Sequence, residues 1–136
     1  MIALDTNVLV RYLVRDDPRQ AQIAARLFQK LTTERPGYIS SPVVVELVWV
    51  LGKGYGFEPS AIVAALAKLL EMPNLLVEDE DELRLATESD HGDFVDRWIH
   101  FIGEHAGCEK TVTFDRRFAR LSGVELLKNS ITSQRD

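Results

Sequence analysis

Short apolar runs alternate with longer segments of helical periodicity along this chain. Five runs rich in apolar residues predict strands at residues 2–4, 38–40, 75–77, 111–114 and 124–127. Between the first two runs, apolar side chains recur at helical spacing from Ala21 to Leu31. Short apolar strands that alternate with helices predict a parallel sheet covered on both faces, which is an α/β fold.

Prolines that follow a polar or acidic residue mark the predicted helix starts. Asp17-Pro18 and Ser41-Pro42 each join a capping residue to a proline suited to the first helical position. Pro59 precedes an apolar stripe that continues to Leu70. The pattern predicts helices that begin at Pro18 and Pro59, further helices at residues 43–51, 80–88 and 93–104, and a helical turn at residues 116–121.

Length and composition are those of one globular domain with a real hydrophobic core. The chain has 136 residues, of which 46% are hydrophobic, and it contains no repeat or linker. We therefore expect a single domain at residues 1–127, followed by a polar C-terminal tail at residues 128–136.

Cysteine content and hydropathy indicate the cellular setting. The single Cys108 excludes an internal disulfide framework and a cysteine zinc site, and it suits a reducing compartment. No run approaches the roughly 18 apolar residues that a membrane helix needs, and Met1 leads directly into the first predicted strand. We expect a cytoplasmic protein that does not bind a membrane.

The charge balance is acidic, with 16 basic and 21 acidic residues, so the formal charge is 16 − 21 = −5. Such a chain does not hold polyanions by general electrostatics alone. It is still compatible with a nucleic-acid enzyme whose acidic charges are neutralised by a metal ion.

Two isolated acids stand out in apolar surroundings. Asp5 is the only charged residue among the first ten, and Glu46 is the only one in SPVVVELVWVLG. A carboxylate taken out of water without a partner costs several kcal/mol or more. We therefore expect both acids to lie in core-forming segments and to hold a cation.

Further acids extend this set. Asp5 and Asp115 each follow a predicted strand, Asp96 lies near a helix start, and Asp93 precedes it by three residues. Ligands of parallel sheets bind beyond the carboxyl ends of the strands. Clustered carboxylates repel unless a cation neutralises them, and hard oxygen ligands select Mg²⁺ or Mn²⁺. Such ions activate water in phosphodiester cleavage.

Each acid also has a simpler interpretation. Asp5 could bond to nearby backbone in a turn, and Glu46 could form a core salt bridge with an arginine. Asp93, Asp96 and Asp115 could cap helices. A ligand can also be a cap, so these interpretations are not exclusive.

Basic residues lie near the predicted strand ends. Arg116, Arg117 and Arg120 follow Asp115, while Arg11 and Arg15 lie about one and two to three turns beyond Asp5. They could contact phosphates at the mouth of the site or form a solvated charged face. The three histidines lack the spacing of a zinc motif, and we expect ordinary surface or structural roles for His91, His100 and His105.

Four segments taken together resemble one family. LDTNVLVRYLV, VVVELVWVL, DFVDRWI and TVTFDRRFARLSGVELL, in this order, resemble a PIN domain and more narrowly a VapC-type ribonuclease toxin. The resemblance extends from Ile2 to about Leu127. It implies a three-layer α/β/α domain with a central, mostly parallel sheet of four to five strands. It also implies Mg²⁺- or Mn²⁺-dependent cleavage of single-stranded RNA and inhibition by a VapB-type antitoxin.

The resemblance also implies residue roles. The acidic metal-site positions of the family match Asp5, Glu46, Asp96 and Asp115. The polar positions that support such a site match Asn7 and Thr113. Asp96 is the better match to the helix acid, because it directly precedes the inward apolar run, and Asp93 is either a further ligand or only a cap.

The apolar helices predicted around residues 42–51 and 60–70 exceed what one small core face requires. They are either core alone or part of a surface for a homodimer or an antitoxin.

Two other functions compete with the nuclease. An aspartyl-phosphate phosphatase also begins with an aspartate after its first strand, but it needs a second aspartate at the position of Asn7. A non-catalytic module would bind RNA or protein without cutting it and without dependence on Mg²⁺.

Overall fold

A computed structural model describes residues 1–89 and 93–128 of the chain. The Cα positions fall into two compact units, Met1–Glu80 and Asp81–Asp136. His91 and residues 129–136 of the predicted tail lie outside the described residues. The expected division into a domain at residues 1–127 and a tail stays a prediction.

The first unit combines three strands with four α-helices and a π-helix. In chain order they are β1 (Ile2–Ala3), α1 (Thr6–Val14), α2 (Pro18–Lys30), β2 (Gly37–Ile39), α3 (Ser41–Trp49), the π-helix (Val50–Gly54), α4 (Pro59–Glu71) and β3 (Leu75–Val77).

The strands of the first unit form a parallel sheet in the order β1-β2-β3. Gly37 pairs with Ile2 on one side and with Leu75 on the other. A Cβ at Gly37 would lie 2.9 Å from the Leu75 side chain and 3.0 Å from that of Leu31. A side chain at Gly37 would therefore have to displace the ends of these leucine side chains, which pack directly against the β2 backbone.

The predicted start of α2 is confirmed. The Asp17 carboxylate accepts the backbone N–H of Gln20 at 3.1 Å, and Pro18 occupies the first turn. The cap predicted for α3 was wrong by one residue, because the helix begins at Ser41 and Ser40 is its N-cap. The helix then continues as the π-helix to Gly54, where the glycines predicted a loop from Gly52 onward.

The second unit contains α5 (Glu80–Glu88), which starts at its boundary, α6 (Phe94–His105), β4 (Thr111–Thr113), a 3₁₀ turn (Phe118–Arg120) and β5 (Val124–Leu126). Strands β4 and β5 pair in parallel. Trp98 and His100 of α6 are buried in this unit. Gly123 has a φ of 87°, and a Cβ there would lie 2.8 Å from the His100 ring, so only glycine fits beside β5.

All five predicted strands are present, each within one residue of its expected limits. The α/β class with parallel strands is confirmed. One detail differs from the expected central sheet of four to five strands, because the described strands are hydrogen-bonded in one sheet of three and one of two. Strands of two or three residues offer few backbone groups for pairing.

Among residues 1–89 and 93–128, none of the helices has the length and apolar character required to cross a membrane.

Candidate active site

Asp5 caps α1 at the carboxyl end of β1. Its Oδ1 accepts the backbone N–H of Thr6 at 2.8 Å, and its backbone is extended, as an N-cap requires. Asp5 is exposed, so the expectation that it lies in the core was wrong. The neighbouring apolar residues Leu4 and Leu9 are buried, whereas the turn after β1 directs Asp5 towards solvent. Asn7, in the first turn of α1, is also exposed.

Glu46 lies on the exposed side of α3. The buried residues of this helix are Val44 and Leu47, whereas Val45 and Trp49 are 43% and 65% exposed. The expectation of a core position was therefore wrong for Glu46 as well. Successive residues of a helix are rotated by 100°, so a continuous apolar segment still has one side that faces water.

Exposed residues of α3 line a shallow groove in the first unit, formed by Ser41, Pro42, Val45, Glu46 and Trp49. The lining is almost wholly apolar apart from the Glu46 carboxylate and the Ser41 hydroxyl. Helix α1, which Asp5 caps, packs against α3 within this unit.

Two acids of the second unit are helix caps. Asp93 Oδ1 accepts the backbone N–H of Val95 at 2.8 Å and that of Asp96 at 3.3 Å. Asp115 Oδ1 accepts the N–H of Arg117 at 2.8 Å. The capping interpretation is thus correct for both residues. Each keeps its Oδ2 without a backbone bond in the described structure, so capping leaves an oxygen for a cation.

Asp96 is a half-buried acid in the first turn of α6. Burial raises the pKa of its carboxyl above the usual value of 3.8, and the charges of Asp93 and Asp115 raise it further. The second unit therefore places Asp93 and Asp115 close enough to Asp96 for their charges to repel its carboxylate. This repulsion favours either a proton or a cation at Asp96.

Thr113 supports Asp115 from the end of β4. Its Oγ1 accepts the backbone N–H of Asp115 at 3.0 Å, which fixes the first residue of the turn after the strand. Asp115 Oδ1 then accepts the backbone N–H groups of Arg117 and Phe118, so the backbone of Asp115 is held by Thr113 and its carboxylate by the next turn.

A complete ligand set is not preassembled in the described residues. Within residues 1–89 and 93–128, no three His, Cys, Asp or Glu side chains are close enough to hold a metal ion. The chemistry of the donors nonetheless fits a hard divalent cation, because Asp96 and its two neighbours are carboxylates, and burial together with the charges of those neighbours raises the pKa of Asp96.

The predicted phosphate contacts in the first unit are engaged within the protein. Arg11 donates to Gln20 Oε1 at 2.7 Å and to both Asp16 and Tyr55 at 3.1 Å. Arg15, at the C-cap of α1, lies 5.2 Å from the centre of the Tyr12 ring. Arg116, Arg117 and Arg120 are exposed in the second unit.

Comparison with known families identifies the fold. The family model for the PIN domain matches residues 2–124. The chain belongs to the PIN domain family. This membership confirms the resemblance of the four sequence segments and the PIN-like α/β fold class.

Two solved structures of VapC proteins resemble the chain. Mycobacterium tuberculosis VapC20, a toxin that cleaves the sarcin–ricin loop, is 23% identical, with a TM-score of 0.45 over 94% of this chain and 100% of its own. VapBC2 from Rickettsia felis, bound to a DNA fragment from its promoter, is 18% identical, with a TM-score of 0.39 over 93% and 98% of the two chains. A search of curated proteins found no match.

Sequence reasoning missed three polar residues that order this PIN domain. Glu82 is 5% exposed and accepts from His105, with 2.9 Å between Oε1 and Nδ1. Arg97 is buried and donates from Nε and Nη2 to the Ala86 carbonyl, so it caps α5. His100 Nδ1 lies 2.8 Å from Thr111 Oγ1. The structural roles expected for His100 and His105 are therefore confirmed.

The third missed residue is Glu78, which follows β3 and bonds to the first residue of α3. A signal for it was present, because an acid directly after a strand is the pattern that selected Asp5 and Asp115.

Proposed function

We propose that this PIN domain is a metal-dependent endoribonuclease and the toxin component of a toxin–antitoxin pair. The single observation that carries the nuclease proposal is the placement of three acids in one part of the second unit. Asp93 caps the helix that carries Asp96, and the charges of both Asp93 and Asp115 act on the Asp96 carboxylate. Acids that repel one another have an evident use when a divalent cation binds them. Family membership over residues 2–124 supports the same activity, and the toxin role rests on the VapC-like sequence segments.

In this proposal Asp5, Glu46, Asp96 and Asp115 hold one or two Mg²⁺ or Mn²⁺ ions, directly or through water. Asp93 is a further candidate ligand through its second oxygen. When bound, the divalent ion supplies Lewis acidity towards the phosphodiester and the attacking water. Thr113 holds the Asp115 backbone by a hydrogen bond, and Asn7 lies one turn or less from Asp5.

Basic charge for RNA is concentrated in the first two helices. Residues 6–30 carry five basic and two acidic residues, so their formal charge is 5 − 2 = +3 in a chain of charge −5. Helix α2 contains no acid, and it exposes Arg19, Ile23, Arg26 and Lys30 at the i, i+4, i+7, i+11 positions of one face. Among the described residues these three cations make no ion pair.

We therefore assign the RNA backbone to this face of α2, in addition to Arg15 and the exposed Arg116 and Arg117. Cations that make no ion pair within the protein can neutralise phosphates, and this releases the counterions that were bound to the nucleic acid. Such release is the main source of affinity for a nucleic-acid backbone. Arg11 is a weaker candidate, because its donors already bind Gln20, Asp16 and Tyr55.

A protein partner is assigned to the groove on α3. Trp49 is 65% exposed there, and an apolar surface next to the Glu46 carboxylate suits a protein partner. A VapB-type antitoxin in this groove would cover Glu46 and block cation or RNA access. The apolar stripe of α4, by contrast, is core, since Ile62, Leu66, Leu69 and Leu70 are buried. A homodimer is also proposed, but through a surface outside this groove, because a second copy seated there would cover Glu46 in the active toxin.

The activity is tested with purified protein and single-stranded RNA. We expect cleavage with Mg²⁺ or Mn²⁺ and none after chelation. Asp5→Asn and Asp115→Asn should each reduce the rate at least roughly 100-fold, because each removes a carboxylate from the ion. Glu109→Gln, an exposed acid of the second unit, is the matched control. Wild-type cleavage by either aspartate variant would refute the mechanism, and Mg²⁺-independent binding of intact RNA would support the non-catalytic alternative.

Sequencing of RNA 5′ ends after brief induction in cells tests activity and target together. We expect new ends at a small number of sites, absent with Asp115→Asn. The groove is tested by Trp49→Ser in co-purification with the product of an adjacent gene. Unchanged co-purification would overturn the assignment of a partner to this groove.

A further inference from the structure

Helix α3, which carries Glu46, lacks a cap from its own N-terminal residue. Ser40 occupies the N-cap position with φ −81° and ψ 161°, but its side chain makes no capping bond. The acceptor comes instead from Glu78, 37 positions away from Ser41 in sequence. Glu78 Oε1 accepts the backbone N–H of Ser41 at 2.8 Å. A carboxylate at a helix N-terminus also interacts favourably with the helix dipole.

Glu78 is itself held by its neighbours in the first unit. Its backbone N–H donates to the Ile39 carbonyl at 2.9 Å, which continues the pairing of β2 with β3. Its Oε2 accepts the Tyr38 hydroxyl at 3.3 Å. The next residue, Asp79, has a φ of 54° and accepts the Ser41 hydroxyl at 3.3 Å. Both oxygens of Glu78 are thus engaged between two strands and α3.

The electrostatics agree with this arrangement. Hydrogen bonds from Ser41 hold the pKa of Glu78 below its usual value, so the side chain is ionised wherever the protein is folded at neutral pH. Burial, together with the Glu78 charge, raises the pKa of Tyr38, so the tyrosine keeps the proton that it donates.

We propose that Glu78 is a positioning residue: it fixes the first turn of α3 and, through the helix, the carboxylate of Glu46. Glu46 is five residues after Ser41, roughly 7.5 Å along the helix axis. Ser41 and Glu46 line the same groove, so a shift of the first turn moves the surface that carries Glu46. The part of this proposal that concerns Glu46 as a ligand rests on the proposed nuclease function.

The first experiment needs no activity. Hydrogen exchange is measured on metal-free protein for the backbone amides of Ser41, Val43 and Val44. Glu78→Ala should accelerate their exchange at least roughly fivefold, the size expected for a lost helix cap. Glu78→Gln keeps an acceptor oxygen for Ser41 and should recover most of the protection. Ser40→Ala should leave it unchanged, because the Ser40 side chain makes no capping bond.

The second experiment measures how RNA cleavage depends on Mg²⁺ concentration. Glu78→Ala should raise the Mg²⁺ concentration for half-maximal cleavage roughly 10-fold, as loss of a group that orients a ligand does. The maximal rate at saturating Mg²⁺ should change much less. Asn74→Ala is the control for general destabilisation of the same unit, because it removes a hydrogen bond to the Leu31 carbonyl away from α3.

The outcomes separate the two proposals. Unchanged exchange in Glu78→Ala overturns the positioning role, whatever the cleavage rate. Faster exchange with an unaltered Mg²⁺ dependence of cleavage would mean that Glu78 is only a local cap, and it would overturn the link to Glu46. The link is also overturned if Asn74→Ala raises the Mg²⁺ concentration for half-maximal cleavage as much as Glu78→Ala does. Absence of cleavage by the wild-type protein defeats the nuclease function, while the exchange result still decides whether Glu78 fixes α3.

Discussion

Asp93 caps the helix that carries Asp96 and at the same time repels its charge. Its Oδ1 accepts the backbone N–H of Asp96 at 3.3 Å, while its negative charge helps to raise the pKa of the Asp96 carboxyl. The capping bond stabilises α6, and the repulsion between the two carboxylates favours binding of a cation. One residue thus contributes both to the stability of the second unit and to the chemistry proposed for it.

Asp96→Asn should stabilise the metal-free protein at neutral pH. An acid whose pKa is raised by folding binds more protons when folded, so stability falls as the pH rises above the usual value of 3.8. This loss of stability reaches its full size at pH values above the pKa that Asp96 has in the folded protein. We expect a gain of less than about 1 kcal/mol at pH 7, since Asp96 is only partly buried, and a loss of cleavage of at least roughly 100-fold.

Urea unfolding between pH 3 and pH 8 measures this effect. Relative to wild type, Asp96→Asn should gain stability above pH 5 and not at pH 3. Mg²⁺ should raise the stability of wild type more than that of the variant. A variant that is less stable than wild type at pH 7, with Glu109→Gln as the reference, would contradict the repulsion at Asp96.

Asp93→Ser distinguishes a ligand from a cap. Serine is a good N-cap, so the free energy of unfolding should stay within about 0.5 kcal/mol of wild type, whereas Asp93→Ala should cost about 1 kcal/mol. If Asp93 only caps, Asp93→Ser keeps the wild-type Mg²⁺ dependence of cleavage. We expect instead that Asp93→Ser needs a several-fold higher Mg²⁺ concentration for half-maximal cleavage. This effect should be smaller than the loss of cleavage in Asp96→Asn. Wild-type Mg²⁺ dependence of Asp93→Ser would remove Asp93 from the ligand set.

The basic face of α2 should control the salt dependence of RNA binding. Changing Arg19, Arg26 and Lys30 to glutamine removes three uncommitted cations. For single-stranded RNA, the slope of log K against log salt should fall by about 0.7 for each phosphate that the variant no longer neutralises, up to about 2 in total. Binding to catalytically inactive Asp115→Asn protein is measured by fluorescence anisotropy between 50 and 300 mM salt.

Three basic residues elsewhere provide the control for that prediction. Arg35, Lys53 and Lys110 are exposed but lie outside α2, and Lys110 is already paired with Glu125 at 2.8 Å. Their joint change to glutamine alters the net charge by the same amount. Equal slopes for the two triple variants would mean that net charge alone acts, and that α2 is a solvated face.

Local patterns were sufficient to predict most of the fold. Strand β3 and helix α5 have the limits that their apolar and charged residues predicted, because each element depends on a few neighbouring side chains. Asp17-Pro18 also predicted the start of α2 correctly. Acids at strand ends selected Asp5 and Asp115 for the candidate site.

Burial and long-range bonds were not predictable in the same way. A continuous apolar run such as that around Glu46 does not reveal which helix face meets water, so the predicted core position failed. The bond between Glu78 and Ser41 joins residues far apart in sequence. Arg97 has the sequence setting of a surface arginine of α6, yet it is 4% exposed because α5 ends at a carbonyl that its guanidinium satisfies.

Arg97 should be the least replaceable charged residue of the second unit. Its guanidinium donates to the Ala86 carbonyl at 3.1 Å and 3.0 Å and lies 5.6 Å from the centre of the Phe94 ring. Arg97→Ala leaves a buried helix-end carbonyl with fewer donors and opens a cavity, at a cost of about 2–4 kcal/mol. Arg97→Lys keeps the charge but loses the planar fork and should cost at least about 1 kcal/mol.

Urea denaturation measures how far each Arg97 variant lowers the free energy of unfolding, provided that the m-value is unchanged. Arg120→Lys, at an exposed position of the second unit, is the matched conservative change and should stay close to wild type. Since Arg97 directly follows Asp96, its loss should also disturb the acids, so Mg²⁺ should protect Arg97→Lys from unfolding less than it protects wild type. An Arg97→Ala protein within about 0.5 kcal/mol of wild type would show that the bonds to Ala86 contribute little to the fold.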